Sequence, residues 1–600
     1  MPEDKLHNIR HSFAHVLAVA VLKFFPEAKL GVGPVIENGC YYDFFLNRAL
    51  TPDDLKNIER EMKKIIGRSL SFERQEMKST EAKKFFEKQK QLFKIELVRD
   101  IERYGTTALE DIQRITHEDR LTKETTVSLY KTGGFIDLCR GGHVENTKEL
   151  NPDAFKVDKT SGAYWRGSVE REQMQRIYIL AFEKKEELGA FLAQRIEAEK
   201  RDHKKLGPQL DLFVFSDLVG AGLPLFTPKG TLIREKLEEF VQSLQEPLGY
   251  QRVRIPHITK RDLYVTSGHW EKFKDELFKI TTREKHEFAM KPMNCPHHTQ
   301  IYAAKKRSYR ELPIRYSEVT SVYRDEQSGE LAGLSRVRVI TQDDAHVFCR
   351  ISQVEKEAFK IWDIIDKFYK PFKMPLTVRF SRHDPAHMEK YLGTQEIWKR
   401  AEDQLLTLIK KRRIKYVDGL GEAAMYGPKI DFIAKDSLGR EWQLATIQLD
   451  FNLPERFDLT CINEKGESER IVMIHRAILG SLERFMAILI EHYAGAFPLW
   501  LAPVQVAILP IGKGHKAYAK QIEKTLDHEN IRTLLREDDE TIGKKIRESE
   551  IQKIPYLLIV GDKERSKKTV AVRVRGRGDI GAEKLEKFLK KIKEEINRKK

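Results

Sequence analysis

Apolar and polar positions alternate in distinct rhythms along this chain. The opening residues carry a helical pattern. So does a Glu-, Lys- and Ala-rich stretch at 181–205, where Leu188, Phe191, Leu192 and Ile196 recur at helical spacing. Turn signals at Gly31-Val32-Gly33-Pro34 and Glu37-Asn38-Gly39 precede a strand-like run at 40–46. Residues 231–245 predict a helix, followed by a strand at 250–255 that ends at Pro256. Residues 314–323 and 335–341 are both β-rich and flank a loop at 327–333, which predicts a hairpin. The run from His475 to Phe485 reads as a strand end entering a helix. Beyond Pro503, the β-rich segments 504–509 and 556–560 each precede a helix-like segment, which predicts a small α/β domain. Residues 585–600 predict a basic amphipathic helix with a solvated polar face. No internal repeat is visible.

Six hundred residues exceed what one hydrophobic core organises. The pattern divides into 1–180, a helical connector 181–205, a central domain 206–498 and a last domain 499–600. Hydrophobic residues make up 40% and charged residues 33%, an ordinary globular composition. The formal net charge of +16 suits either plain solubility or a polyanionic partner. Five scattered cysteines (Cys40, Cys139, Cys295, Cys349, Cys461) do not form a disulfide framework and fit a reducing cytoplasm. Acids stand near the N-terminus where a signal peptide needs bases. No apolar stretch approaches the roughly 20 residues of a membrane span; residues 472–490 come closest and are interrupted by His475, Arg476, Glu483 and Arg484.

The central domain carries the densest chemistry. Arg324 and Glu326 stand at the end of one arm of the expected hairpin, and Arg336 and Arg338 on the other. Arginine forks suit bidentate binding of phosphate or carboxylate, and Glu326 can accept from an adenine amino group. A surface ion pair explains one Arg-x-Glu equally well. Gly480 would let a nucleotide approach the backbone, and Arg484 sits early on the following helix, placed for a triphosphate.

These features resemble motifs 1, 2 and 3 of class II aminoacyl-tRNA synthetases: the helix and strand ending at Pro256, Arg324-x-Glu326, and Gly480-x-x-Glu483-Arg484. The strings Lys291-Pro292-Met293-Asn294-Cys295-Pro296, Gln342-Asp343-Asp344-Ala345-His346 and Val472-Met473-Ile474-His475-Arg476-Ala477 narrow the resemblance to the threonyl-tRNA synthetases. It runs from about His11 to about Gly581. The fold it implies is a multidomain α+β protein: an antiparallel class II core, an α+β editing domain before it and an α/β anticodon-binding domain after it. The resemblance also implies a cytoplasmic homodimer that binds ATP with Mg²⁺, L-threonine and tRNA(Thr).

The same resemblance assigns roles. Cys295, His346 and His475 would bind one Zn²⁺ per subunit, and one thiolate with two imidazoles suits that ion while leaving positions open. They stand 51 and 129 residues apart, so only the fold can assemble them. His298 is a weaker competitor as a ligand. Met293, Asp344, Tyr426, Gln443 and Gln448 would surround the amino acid. Arg324, Glu326, Arg336 and Arg484 would handle ATP, with Gln342 and Lys429 beside the reacting groups.

In residues 1–180, His11 and His15 stand one helical turn apart, and Cys139 and His143 follow with the same spacing. Four such residues suit either a zinc site or a metal-free hydrolytic site. The domain resembles the editing domain of bacterial-type threonyl-tRNA synthetases, which favours the metal-free reading and adds Asp137, Tyr42 and Asp43 to the pocket. Lys156 and Arg166 are candidates for RNA phosphates. The editing pattern begins at His11, so the small domain that commonly precedes it is expected to be missing. The family's usual glycine before His298 is replaced by His297. In residues 499–600, Arg547, Glu564 and Arg573 fall in segments resembling the anticodon-reading face. The competing readings are a non-catalytic RNA-binding relative and a synthetase for another amino acid.

Overall fold

The computed structural model describes residues 2–108, 112 and 125–599. The chain forms two compact units, 1–196 and 197–600.

In the first unit, helix Pro2–Phe24 buries Phe13, Val16, Leu17 and Val21 in a cluster with Tyr42, Phe44, Ile177 and Ile179. The last four belong to an antiparallel sheet ordered Lys29–Leu30, Gly39–Phe45, Gln173–Ala181, Phe155–Tyr164, with Val35–Ile36 also paired to Gly39–Phe45. Helix Pro52–Gly67 is started by a capping box between Thr51 and Asp54. A three-stranded meander, Phe72–Lys78, Thr126–Thr132 and Phe135–Leu138, completes the unit with helices Ser79–Lys88 and Leu92–Tyr104.

The expected single helix at 181–205 is two helices. Strand Gln173–Ala181 occupies its start, helix Lys185–Arg201 follows, and Asp202 caps a new helix, His203–Gln209, by accepting from Lys204 N–H. The division between the two units falls inside the first of these helices.

The second unit is built on an eight-stranded sheet. Its order is Gln251–Arg252, Ile314–Tyr323, Val339–Cys349, Val472–Ser481, Glu441–Asp450, Lys429–Lys435, Leu376–Arg382, Tyr416–Leu420. Each edge strand pairs in parallel and every other pairing is antiparallel. Helices Pro228–Gln245, Val354–Tyr369, Gln395–Arg412 and Leu482–His492 pack the main core against it, around Trp362, Phe368, Leu405 and Phe485. The strand expected at 250–255 is only two residues long. The second arm of the expected hairpin begins at Val339, so Arg336 and Arg338 lie in the connection and not in the strand. Residues 499–592 hold a separate hydrophobic cluster on a five-stranded sheet, three strands parallel and two antiparallel. The terminal helix Leu585–Asn597 buries Phe588 and Ile592 there. Among the described residues no helix is long and apolar enough to cross a membrane.

Candidate active sites

The antiparallel register sets a row of side chains across five strands: Tyr316 opposite His346, His346 opposite His475, His475 opposite Gln448, and Gln448 opposite Lys429. Paired residues face the same side of a sheet, so this row floors a cleft. The cleft, of about 770 Å³, is lined by Phe273, Met293, Arg324, Gln342, Asp344, His346, Tyr426, Lys429, Gln443, Gln448 and His475 among others. Every residue expected to surround the amino acid is in that lining.

Cys295 begins helix Cys295–Ala303 beneath the cleft. Its thiol, His346 and His475 each offer a ligand atom within 4.8 Å of the others, and all three are buried. His475 Nε2 lies 2.9 Å from Asp450 Oδ2, which leaves Nδ1 for a metal. His346 Nδ1 lies 2.8 Å from His298 Nδ1, which leaves Nε2. Carboxylate and imidazole partners of this kind fix the tautomer of metal-binding histidines. His298 therefore supports His346 instead of competing with it. Burial pushes the Cys295 thiol far up and the His346 imidazole far down, so the thiol is neutral unless a cation replaces its proton. The donor set fits a zinc ion.

Asp344 accepts from Asn294 Nδ2 at 2.9 Å, and Tyr426 donates to Gln448 Oε1 at 3.0 Å while stacking on His475. Gln443 and Lys429 both contact Asp431, which is wholly buried, at 3.0 Å, and Arg379 bonds Gln443 and Asp431. Arg324 reaches Met293 Sδ at 3.4 Å and lies over Phe273. Glu326 is held by Arg336 at 2.7 Å. Burial, and then the like charges of Arg324 and Arg336, push the Arg484 guanidinium below its ordinary value, with Glu326 opposing. Like charges held this close suit a polyanion. Gly480 has φ +71° and its hydrogen faces the Leu444 carbonyl. The glycine is thus required by the backbone itself and not by an approaching nucleotide.

Sequence reasoning missed Asp431, Arg379, Asp450, Asn294 and His269. His269 is wholly buried, its Nε2 lies 3.8 Å from Cys295 Sγ, and burial holds it down at about 3. Asn294 adjoins the Cys295 already singled out, which was the available signal for it.

In the first unit, Cys139 Sγ lies 3.2 Å from His143 Nε2 and 3.5 Å from His11 Nε2. His11 Nδ1 donates to the Gly141 carbonyl at 2.9 Å, so its Nε2 is an acceptor toward the thiol. His15, buried, completes the quartet. Burial first holds His11, His15 and His143 below their ordinary value of 6.5, and lifts the Cys139 thiol to about 12. Nearby, Tyr42 donates to Asp137 Oδ2 at 2.5 Å and accepts from Lys94 Nζ at 3.0 Å; Lys94 also pairs with Asp137 at 2.5 Å. Lys94 is 2% exposed and gave no sequence signal. Asp43, one residue from Tyr42 on the strand, is tied to Arg176 at 2.7 Å. Arg166 pairs with Glu96 and Asp100, so it is neutralised by protein carboxylates.

In the last domain, Arg547 is exposed on helix Ile542–Ile551, Arg573 pairs with Glu550 at 3.4 Å, and Glu564 accepts from Gly561 N–H at the start of its own helix. No hydrogen bond or ion pair joins the three among the described residues.

Residues 278–493 match the family described as "tRNA synthetase class II core domain (G, H, P, S and T)", 505–595 match "Anticodon binding domain", and 127–178 match "Threonyl and Alanyl tRNA synthetase second additional domain". A threonine–tRNA ligase of Gloeobacter violaceus is 48% identical over 583 residues, covering 96% of this chain and 90% of that protein. One of Acetivibrio thermocellus is 45% identical over 591 residues, covering 98% and 88%. The solved RNA binding domain of threonyl-tRNA synthetase from Cryptosporidium parvum superposes with a TM-score of 0.63 at 37% identity, covering 66% of this chain and 98% of that one. Giardia lamblia prolyl-tRNA synthetase, 17% identical with a TM-score of 0.54, shares the fold alone.

Proposed function

The chain belongs to the threonine–tRNA ligase family, and on that premise we propose that it activates threonine with ATP, charges tRNA(Thr) and hydrolyses seryl-tRNA(Thr), as a zinc-binding homodimer. The observation that carries the reading is the convergence of Cys295, His346 and His475 with Arg324, Asp344 and Gln448 on one cleft.

Cys295, His346 and His475 would hold a zinc ion, which would supply Lewis-acid recognition of the amino and hydroxyl groups of threonine. Valine has no such hydroxyl. An apolar pocket alone separates such isosteres only about 10²-fold, so polar recognition of the hydroxyl is what the discrimination needs. Asp344 and the Tyr426–Gln448 pair supply the remaining polar contacts to the amino acid. The threonine carboxylate attacks the α-phosphate of ATP: a carboxyl O–Pα bond forms, the Pα–O bond to the β-phosphate breaks, and pyrophosphate leaves; bound Mg²⁺ would supply neutralisation of the phosphate charge. Arg324 stands where carboxylate and phosphate meet, and Arg336 and Arg484 face the phosphates. Their work is positioning and charge stabilisation. The carboxylate oxygen of Glu326 not engaged by Arg336 is the acceptor for the adenine amino group. The terminal ribose of tRNA then takes the acyl group.

Serine keeps the hydroxyl and lacks only a methyl group, a difference of about 1–3 kcal/mol in a pocket. That gap is the reason for the second site. His11, His143 and Cys139 present neutral acceptors and a neutral thiol to a water molecule, and the Lys94–Asp137–Tyr42 cluster fixes charge beside it. The metal-free reading here rests on the editing-domain resemblance. Arg547, Glu564 and Arg573 remain the candidates for anticodon contact. Exposed Val214, Phe215, Leu218 and Val219 support a subunit interface next to helix Pro228–Gln245.

The test is amino-acid-dependent ATP–pyrophosphate exchange with threonine, serine, valine and proline. Exchange with threonine, weaker exchange with serine and none with valine is expected. No exchange with any of them would sink the reading.

A further inference from the structure

The connection between strands Ile314–Tyr323 and Val339–Cys349, residues 324–338, has few strand hydrogen bonds to hold it, yet it carries Arg336. Apart from its hydrogen bonds to the Glu276, Gly222 and Ala221 carbonyls, two contacts tie it toward helix Leu482–His492. Arg484 Nε donates to the Ser335 carbonyl at 3.0 Å. One residue earlier, Leu334 N–H donates to His203 Nε2 at 3.0 Å. His203 lies far away in sequence, in the first turn of helix His203–Gln209, and is 4% exposed. Its other nitrogen, Nδ1, lies 2.6 Å from Glu491 Oε1, and its backbone N–H reaches the same oxygen at 3.2 Å. Glu491 belongs to helix Leu482–His492, which also carries Arg484, and is further held by Arg440.

Asp202, His203 and Glu491 could pass for a cation site on proximity alone. The hydrogen bonds decide otherwise. An Nδ1–H donating to a carboxylate leaves Nε2 as acceptor, and Nε2 is taken by the Leu334 amide. Neither nitrogen is left for a metal. Gly333 is shaped to the same contact: its φ is +56°, and a Cβ there would lie 2.3 Å from His203 Nε2.

We propose that His203 is a positioning residue for ATP: it clamps the 324–338 loop to the helix that carries Arg484, and so sets the distance between Arg336 and Arg484. The proposal rests on the reading of those arginines as the ATP site. It touches no reacting atom, and its effect is expected on ATP and not on threonine, which sits on the sheet floor.

The two faces of the ring can be separated. His203→Asn keeps a donor near Nδ1 for Glu491 and removes the acceptor facing Leu334. His203→Gln restores an acceptor near Nε2. Threonine-dependent exchange is measured on the full chain with ATP and threonine varied separately. His203→Asn is expected to raise KM for ATP about ten-fold, the order expected when a buried N–H loses its acceptor. KM for threonine stays unchanged, and His203→Gln recovers most of the loss. An unchanged KM for ATP in His203→Asn overturns the clamp. So does a joint fall in Tm and kcat without a selective ATP effect, which marks a purely structural residue. Absence of exchange in the unaltered protein overturns the ATP-site reading and the clamp with it.

Discussion

Asp450 Oδ2 meets His475 Nε2 at 2.9 Å inside the sheet, and the carboxylate is wholly buried. Its other oxygen accepts from the backbone N–H groups of Asn452 and Leu453. The aspartate therefore cannot swing, and neither can the imidazole it orients. Asp450→Asn preserves the backbone contacts and weakens the orienting one. Metal affinity is expected to fall about 10–100-fold, read by chelator competition on the purified protein. Retention of full affinity would show that His475 needs no orienting partner.

Burial and the like charges of Arg324 and Arg336 crowd the Arg484 guanidinium, which makes it dependent on an anionic ligand. Arg484→Ala is expected to lower threonine-dependent exchange about 10²–10³-fold, the effect of losing one preorganised charge at a transferring phosphoryl group. Thermal stability should change little, because the side chain's hydrogen bond among the described residues is the one to the Ser335 carbonyl.

The two chemistries are carried by different units of the chain. His143→Gln is expected to abolish deacylation of seryl-tRNA while exchange with threonine continues at its original rate. The sign of failure would be intact deacylation. Lys94→Met leaves the Asp137 carboxylate buried without its cation, held only by the neutral donors Tyr42 and Leu138 N–H among the described residues, so it is expected to destabilise the first unit by about 3–5 kcal/mol.

Burial holds His11, His15 and His143 below 6.5 in the folded chain. Between those lowered values and 6.5 the unfolded state binds more protons, so stability rises with pH across that window and falls as pH drops below about 6.5. Each histidine adds a slope of up to about 1.4 kcal/mol per pH unit. The first thermal transition of the full chain is expected to move down between pH 7 and pH 5.5. His143→Gln should flatten that dependence, and an identical slope in the variant would refute the assignment.

Leu218 is fully exposed, beside Val214, Phe215 and Val219 at 43–45%. Leu218→Asp is expected to shift the proposed homodimer toward monomer in sedimentation velocity. A sedimentation coefficient equal to that of the unaltered chain would remove this surface from the interface.

Much of this was legible before the fold was known. Ile314–Tyr323 and Tyr556–Val560 match the β-rich runs residue for residue, because continuous apolar and β-branched runs specify buried strands. Residues 335–341 read equally well as strand, yet Ser335, Arg336 and Arg338 are spent on contacts to Ala332, Glu326 and Ala221 that no ladder allows. The grouping of Cys295, His346 and His475 was legible only through resemblance, since its spacing is set by which strands become neighbours. Lys94, His269, His203 and Asp450 were not legible at all. A single lysine, histidine or aspartate carries no periodic signal, and its importance comes from burial that only the tertiary structure creates.

His346 and His475 face each other across two adjacent interior strands, the third and fourth of the eight, with Gln448 and Lys429 continuing the row. Side chains alternate faces with a period of two, so a slip of one residue between these strands would send one histidine to the opposite face. A metal bound by both is therefore also a rivet through the middle of the sheet. On the proposed reading, discrimination between threonine and its near-isostere and the correct alignment of these two strands would rest on the same pair of rings.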